Sequence, residues 1–207
     1  MELILLFATG FLLSFIGTIP PGMINLSIAQ TSIYKGFKMA QAAALGAALV
    51  ELFQALVALK LAWIFTAKDS IIPWVAVVVF LCLSIYFAFF APKSTEIKEK
   101  NYKSEGFFKG ALISFLNVMT YPYWIFWGTY LKRFEWFSSD WISTLAFISG
   151  ASLATFILLN VYALLGQNIV KRVASIAQIT NKVLAVVFFL LAILQLIQVL
   201  GILKMSI

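Results

Sequence analysis

Six apolar stretches, each long enough to cross a bilayer as a helix, leave this chain little choice of fold. Spanning about 30 Å of hydrocarbon takes roughly 20 helical residues. Leu3 to Gln30, Met39 to Phe65, Ile71 to Ala91, Phe107 to Leu131, Trp141 to Leu165 and Val183 to Leu203 all meet that length. The runs are too long for barrel strands. Of the 207 residues 63% are hydrophobic and only 11% charged, whereas an ordinary soluble domain is about half apolar and a quarter charged. A core of this size has no room for so much apolar surface, but lipid solvates it directly, provided that the backbone bonds internally as helices do. The expected fold is therefore all-α and integral to the membrane, with six transmembrane helices.

The net charge of +7 does not point to nucleic acid, because the cations lie between apolar runs and form no basic face. They read as loop charges. Counted on alternate sides of the six spans, one side collects Lys35, Lys38, Lys93, Lys98, Lys100, Lys103, Lys109, Lys171, Arg172 and Lys182, and the other Lys60, Lys68, Lys132, Arg133 and Lys204. Ten against five puts the first group in the cytoplasm and both termini outside. Trp63, Trp74, Trp136 and Trp141 fall near span ends on that outer side, where amphipathic rings favour the interface. Glu2 replaces the positive start of a secretory signal and the first run continues past a plausible cleavage point, so it reads as a retained span.

The sequence repeats itself. A shift of 100 lays Phe7, Gly10, Leu12, Ser14 and Phe15 on Phe107, Gly110, Leu112, Ser114 and Phe115, and a shift of 104 lays Gly46-Ala47-Ala48-Leu49 on Gly150-Ala151-Ser152-Leu153. The reading is a three-helix repeat over 1–91, a charged cytoplasmic linker over 92–106 and a second repeat over 107–207. Three spans per repeat is an odd number, so the second repeat must enter the membrane inverted. The linker is most simply a solvated loop drawn to anionic lipid.

Thr18-Ile19-Pro20-Pro21-Gly22 interrupts the first run. Two prolines remove two amide donors and Gly22 tolerates unusual angles, so the stretch is expected to split into two half-helices. Pro21 would sit in the first turn of the second half-helix, whose free amides favour an anion such as a substrate carboxylate, with Asn25 in support. The plainer alternative is a proline kink between packed helices. Asn117 to Pro122 is the matching segment in the second half, which makes the first and fourth helices the broken ones. Asn117 serves a site or an ordinary interhelical bond equally well.

Glu51 is the sharpest single residue. At the centre of the second span an ionised carboxylate costs about 3 kcal/mol or more, so it must face protein or water. Ala44, Ala47, Ala48, Gln54, Ala55 and Ala58 share its helix face, while Leu45, Leu49, Leu52, Phe53 and Leu56 occupy the opposite one. In such a setting the acid can exchange a proton, or hold a substrate ammonium when ionised. A protonated Glu51 bonded to a neighbouring carbonyl is the structural alternative. Lys60, near the outer end of the same span, is expected to snorkel. Gln195, Gln198, Asn160, Ser152 and Thr155 suit ordinary interhelical bonding better than a cavity.

These features resemble the lysine exporter (LysE-type) amino-acid efflux family. That family carries Pro-Gly-Pro late in the first helix, and Pro21-Gly22 match while Met23 replaces the last proline. Its spaced glycines and acidic residue in the second helix are met by Gly36, Gly46 and Glu51, with Val50 where a glycine is usual. Gly110 and Asn117 fit its second-half Gly and Asn-Pro-Lys, and Val118 and Met119 do not; the departures fit a divergent branch. The resemblance implies an inner-membrane exporter of amino acids or related metabolites by proton-coupled antiport. Pro20, Pro21, Gly22, Asn25, Glu51, Asn117 and Pro122 are then the substrate-binding candidates, and Glu51 is also the proton-coupling residue. No cofactor is expected, and a homodimer is compatible with the sequence. With no histidine, one cysteine (Cys82) and no clustered carboxylates inside the spans, metal sites and nucleophile-base constellations are missing. The runner-up is therefore an accessory subunit of a larger membrane complex ahead of an integral membrane enzyme.

Overall fold

The computed structural model describes residues 2–65, 71–90, 106–117, 119–133, 137, 140–166 and 173–200. Its helices are α1 (Glu2–Thr18), α2 (Met23–Lys35), α3 (Phe37–Phe65), α4 (Ile71–Ile85) continued by a π-helical turn (Tyr86–Phe90), α5 (Phe107–Phe115), α6 (Thr120–Arg133), α7 (Trp141–Leu164) and α8 (Val173–Val199). Among the described residues there is no strand. The charged linker up to Glu105, Lys68, Trp136, Lys171, Arg172, Lys204 and the Gln198 side chain lie outside what the structure describes.

The first apolar run is broken as its prolines dictate: α1 and α2 meet at a 77° bend across Ile19 to Gly22. The helix start differs from expectation by one step. Gly22, in extended conformation (φ −84°, ψ −177°), is the N-cap of α2, and Pro21 precedes it instead of occupying the first turn. At Gly36 a φ of +86° turns the chain from α2 into α3, a conformation that a residue with a Cβ rarely adopts. The second break, Leu116 to Met119 between α5 and α6, contains no proline. Pro122 does not break a helix: it occupies the first turn of α6, where its missing N–H would have had no intrahelical partner.

Helices α3 and α7 are each long and apolar enough to span a membrane, and the bent α1–α2 pair makes a third candidate. Shorter apolar stretches cover Val77–Phe90 and Asn181–Ile197. Two compact units result: Met1–Thr66 with Glu96–Val173, and Ala67–Thr95 with Ala174–Ile207. In the second, Ser84 Oγ donates to Ala185 O (2.9 Å) and the Phe188 ring stacks with Phe80 and Phe87.

The first unit is built on close helix crossings. A Cβ on Gly10 would collide with Phe147 O, and one on Gly150 with Phe7 O, so α1 and α7 touch backbone to backbone. Gly110 against Ala43 O and Gly46 against Phe107 O do the same for α5 and α3. The offsets of 100 and 104 residues carry one set of contacts onto the other: Gly10, Phe7, Ala43 and Gly46 map to Gly110, Phe107, Phe147 and Gly150. On α3 the expected faces hold. Ala44, Ala47, Ala48, Gln54, Ala55 and Ala58 are buried, whereas Leu45, Leu49 and Phe53 are exposed and suit lipid. Leu52 and Leu56 are half-buried, packed against the buried cluster around Trp124 and Phe147.

Candidate functional site

The small side chains on α3 let α5 and α7 come close, and the Glu51 side chain reaches into the space between helices. Ser14 Oγ of α1 donates to Glu51 Oε1 (3.2 Å). Ser14 also shares a hydrogen bond with Thr155 Oγ1 of α7 (2.8 Å), and Thr155 shares a longer one with Thr18 Oγ1 (3.4 Å). From α6 the Trp124 indole faces the same carboxyl group. Trp124 is fully buried and its Nε1–H has no acceptor at full hydrogen-bond geometry. The acid is thus turned into the bundle, as its cost in lipid requires, within reach of three other helices.

Each break is held by a polar side chain from a neighbouring helix. Asn25 Nδ2 donates to Thr18 O (2.6 Å) and Pro20 O (3.3 Å), and the Tyr162 hydroxyl of α7 donates to Ile19 O. Gln54 Nε2 of α3, one turn from Glu51, donates to Ser114 O (3.1 Å), at the C-terminal end of α5, and also reaches Phe115 O. These bonds satisfy carbonyls that an unbroken helix would have paired internally, a requirement that is strict away from water. Asn25 is consequently buried and engaged as a brace of the break, its amide nitrogen donating to two carbonyls. Gln54 Oε1, also buried, has no partner.

The sequence-predicted residues therefore fall in two groups. Glu51 lies within a hydrogen bond of α1, with Thr18 at the edge of the first break one turn further along that helix. Pro20, Pro21 and Gly22 are half-buried in that break, with open space where a Gly22 Cβ would stand. Asn117 is half-buried in the second break, where its backbone continues the chain from Ser114 O (2.9 Å) to Thr120 N (3.3 Å), and Pro122 is half-buried in α6. Ser14 and Trp124 were not among the candidates, and Thr155 was read as better suited to ordinary interhelical bonding than to a cavity. Thr155 had a usable signal: the offset of 104 that relates Gly46 to Gly150 also relates Glu51 to Thr155. Nothing local marks Trp124.

Apart from Glu51, the charged side chains described in the unit lie towards the ends of their helices. The Lys60 ammonium lies 4.6 Å from the Trp63 ring centroid and 4.2 Å from that of Trp141, so it is held by cation–π contacts and does more than snorkel. Lys132 Nζ reaches Trp63 O at the same end, and Lys109 Nζ reaches Thr31 Oγ1. Among the described residues no group of His, Cys, Asp and Glu could hold a metal ion.

Residues 15–199 match the family model described as LysE type translocator. Comparison with curated proteins and with solved structures gives no match.

Proposed function

The chain belongs to the LysE type translocator family, and from that premise we propose that it is an inner-membrane secondary transporter that exports amino acids or related small metabolites in exchange for protons. The observation that carries this is Glu51: one carboxyl group, bonded to α1 and flanked by α6 and α7. A single carboxylate can bind a proton or a substrate ammonium, but not both at once. Binding one expels the other, which is what obligatory exchange requires. The broken segments at 19–22 and 116–119 provide backbone groups for the rest of the substrate, in the manner of discontinuous helices that bind at the midplane.

In this reading the six apolar stretches form two inverted three-helix repeats. The helix directions support it. Gly10 abuts Phe147, Ser14 meets Thr155 and Ile19 O meets Tyr162, so α1 and α7 run the same way. Gly110 abuts Ala43, Ser114 Oγ meets Ala47 O and Ser114 O meets Gln54, so α5 and α3 also run the same way. Successive spans cross in opposite directions. If α1 runs with the second span of the other half, the two halves must be inverted. The exchange of glycine contacts under the two offsets supports the same conclusion.

Proteoliposomes loaded with a mixture of amino acids and diluted into more acidic buffer test the function. Release of a subset several-fold faster than without the gradient is expected; equal release with and without it would remove proton coupling. Orientation is tested separately, in a Cys82→Ser background. Glu2→Cys is expected to react in intact cells with a membrane-impermeant maleimide and Lys35→Cys only after lysis, both positions being exposed. The reverse pattern would overturn the outward termini.

A further inference from the structure

Glu51 is linked to the first helix break by a continuous series of hydroxyl groups. Ser14 Oγ stands 3.2 Å from Glu51 Oε1, Thr155 Oγ1 stands 2.8 Å from Ser14, and Thr18 Oγ1 stands 3.4 Å from Thr155. Thr18 is the last residue of α1, half-buried at the edge of the break. Ser14 and Thr155 are 1% and 3% exposed, which shields the inner links from bulk water.

We infer that Ser14, Thr155 and Thr18 form the path along which a proton passes between the first helix break and Glu51. The inference rests on the reading of Glu51 as the proton-exchanging group. Each hydroxyl is both a donor and an acceptor, so with the carboxylate ionised the three orient in one sense: Thr18 donates to Thr155, Thr155 to Ser14 and Ser14 to Glu51. A hydronium ion at the break gives its proton to Thr18 and becomes water. Thr18 passes its own proton to Thr155, Thr155 to Ser14 and Ser14 to the carboxylate. One O–H bond forms and one breaks at each hydroxyl oxygen, the hydronium loses one, Glu51 gains one and ends as the neutral acid, and the hydroxyls reset by rotation. The Thr18 to Thr155 separation is the longest of the three, which makes it the link that a small movement of the break opens or closes.

Among the described residues, the side chains that face Glu51 are uncharged. Glu51 is faced from α1 by Ser14, from α7 by Thr155, and from α6 by Trp124 and Tyr123, whose hydroxyl donates to Leu13 O. Three cations of the packed helices are engaged elsewhere: Lys60 with Trp63 and Trp141, Lys132 with Trp63 O, and Lys109 with Thr31. The chain also has a direction. Ser114, which the offset of 100 makes the counterpart of Ser14, donates to Ala47 O and not to a carboxylate, so among the described residues the series is specific to the first break.

The test compares Thr155→Val, which keeps the shape and removes the hydroxyl, with Thr155→Ser, which restores it; Ser14→Ala interrupts the series at another link. Full-length protein in proteoliposomes is read for substrate affinity, for the rate of pH-gradient-driven export, and for the slowing of that rate in heavy water. Positioned proton-transfer groups contribute about 100-fold or more to rates. Gradient-driven export is therefore expected to fall by about 100-fold in Thr155→Val and Ser14→Ala at unchanged substrate affinity, and to recover in Thr155→Ser. A wild-type rate and isotope effect in the two interrupting variants would overturn the path while leaving Glu51 in place. Parallel loss of substrate affinity would overturn it in favour of a packing or binding role. If Glu51→Gln itself keeps pH-driven export, the underlying reading of Glu51 fails instead.

Discussion

Glu51→Gln is expected to abolish accumulation of substrate against a concentration difference. For exchange of one proton per substrate, a gradient of about one pH unit supports about a tenfold concentration ratio, because 1.36 kcal/mol is a factor of ten. The amide keeps the size of the side chain and can accept from Ser14, so the packing of α1, α3 and α7 has no reason to change. It cannot release a proton or carry charge, so the ratio falls from about tenfold to one. Loss of the charged partner of a substrate ammonium removes a further ~1.5 to 3 kcal/mol of binding, or roughly 10- to 100-fold in affinity. Equilibrium accumulation in vesicles and binding by calorimetry read the two effects separately. A Gln variant that still concentrates substrate in response to the pH gradient would exclude Glu51 from coupling.

What makes this expectation specific is that the acid was legible from the sequence but its partners were not. A carboxylate in an apolar stretch of helical length has few tolerable environments. The small residues spaced around it identify the face that must be buried, and Ala44, Ala47, Ala55 and Ala58 are all buried. The first break was equally legible, since Pro20 and Pro21 withdraw two backbone donors in succession. The second was located correctly but for the wrong reason. No proline lies in it, and Pro122 is tolerated in a first turn; the end of α5 is instead held by Gln54, from a helix more than fifty residues away in sequence.

Partners chosen by tertiary packing leave no local trace. Ser14, Thr155 and Trp124 come from three helices, and each is an ordinary residue for a membrane span. Asn25 shows the same limit from the other side. Its position one turn after the break suggested an anion ligand, but the carbonyls left open by Pro20 and Pro21 claim its amide first. A broken helix inside a membrane creates its own demand for donors, and the nearest asparagine meets it.

The other large effect is expected at the helix crossings. Gly10, Gly46, Gly110 and Gly150 each stand where a Cβ would run into a backbone carbonyl oxygen, of Phe147, Phe107, Ala43 and Phe7 respectively. A flexible side chain could rotate away, but a carbonyl in a helix cannot without moving the helix. Alanine at any of these positions must push two helices apart, loosening the alanine face of α3 or the contact of α1 with α7 along its length. Overpacking of this kind costs about 1 to 3 kcal/mol and occasionally more, against a gain in helix propensity of at most about 1 kcal/mol. The balance is destabilising, by about 1 to 2 kcal/mol for each. Gly22→Ala is the control for the clash: nothing lies near the site of its Cβ and its φ of −84° suits any residue, so it loses only the preference for glycine over alanine at an N-cap, about 0.5 to 1 kcal/mol. Thermal unfolding in detergent measures both. Because Gly10 with Gly110, and Gly46 with Gly150, occupy corresponding places in the two crossings, the members of each pair should lose similar stability. Alanine variants as stable as the parent at Gly10 and Gly110 would mean that the helices do not meet backbone to backbone, and the case for two inverted halves would lose its strongest geometric support.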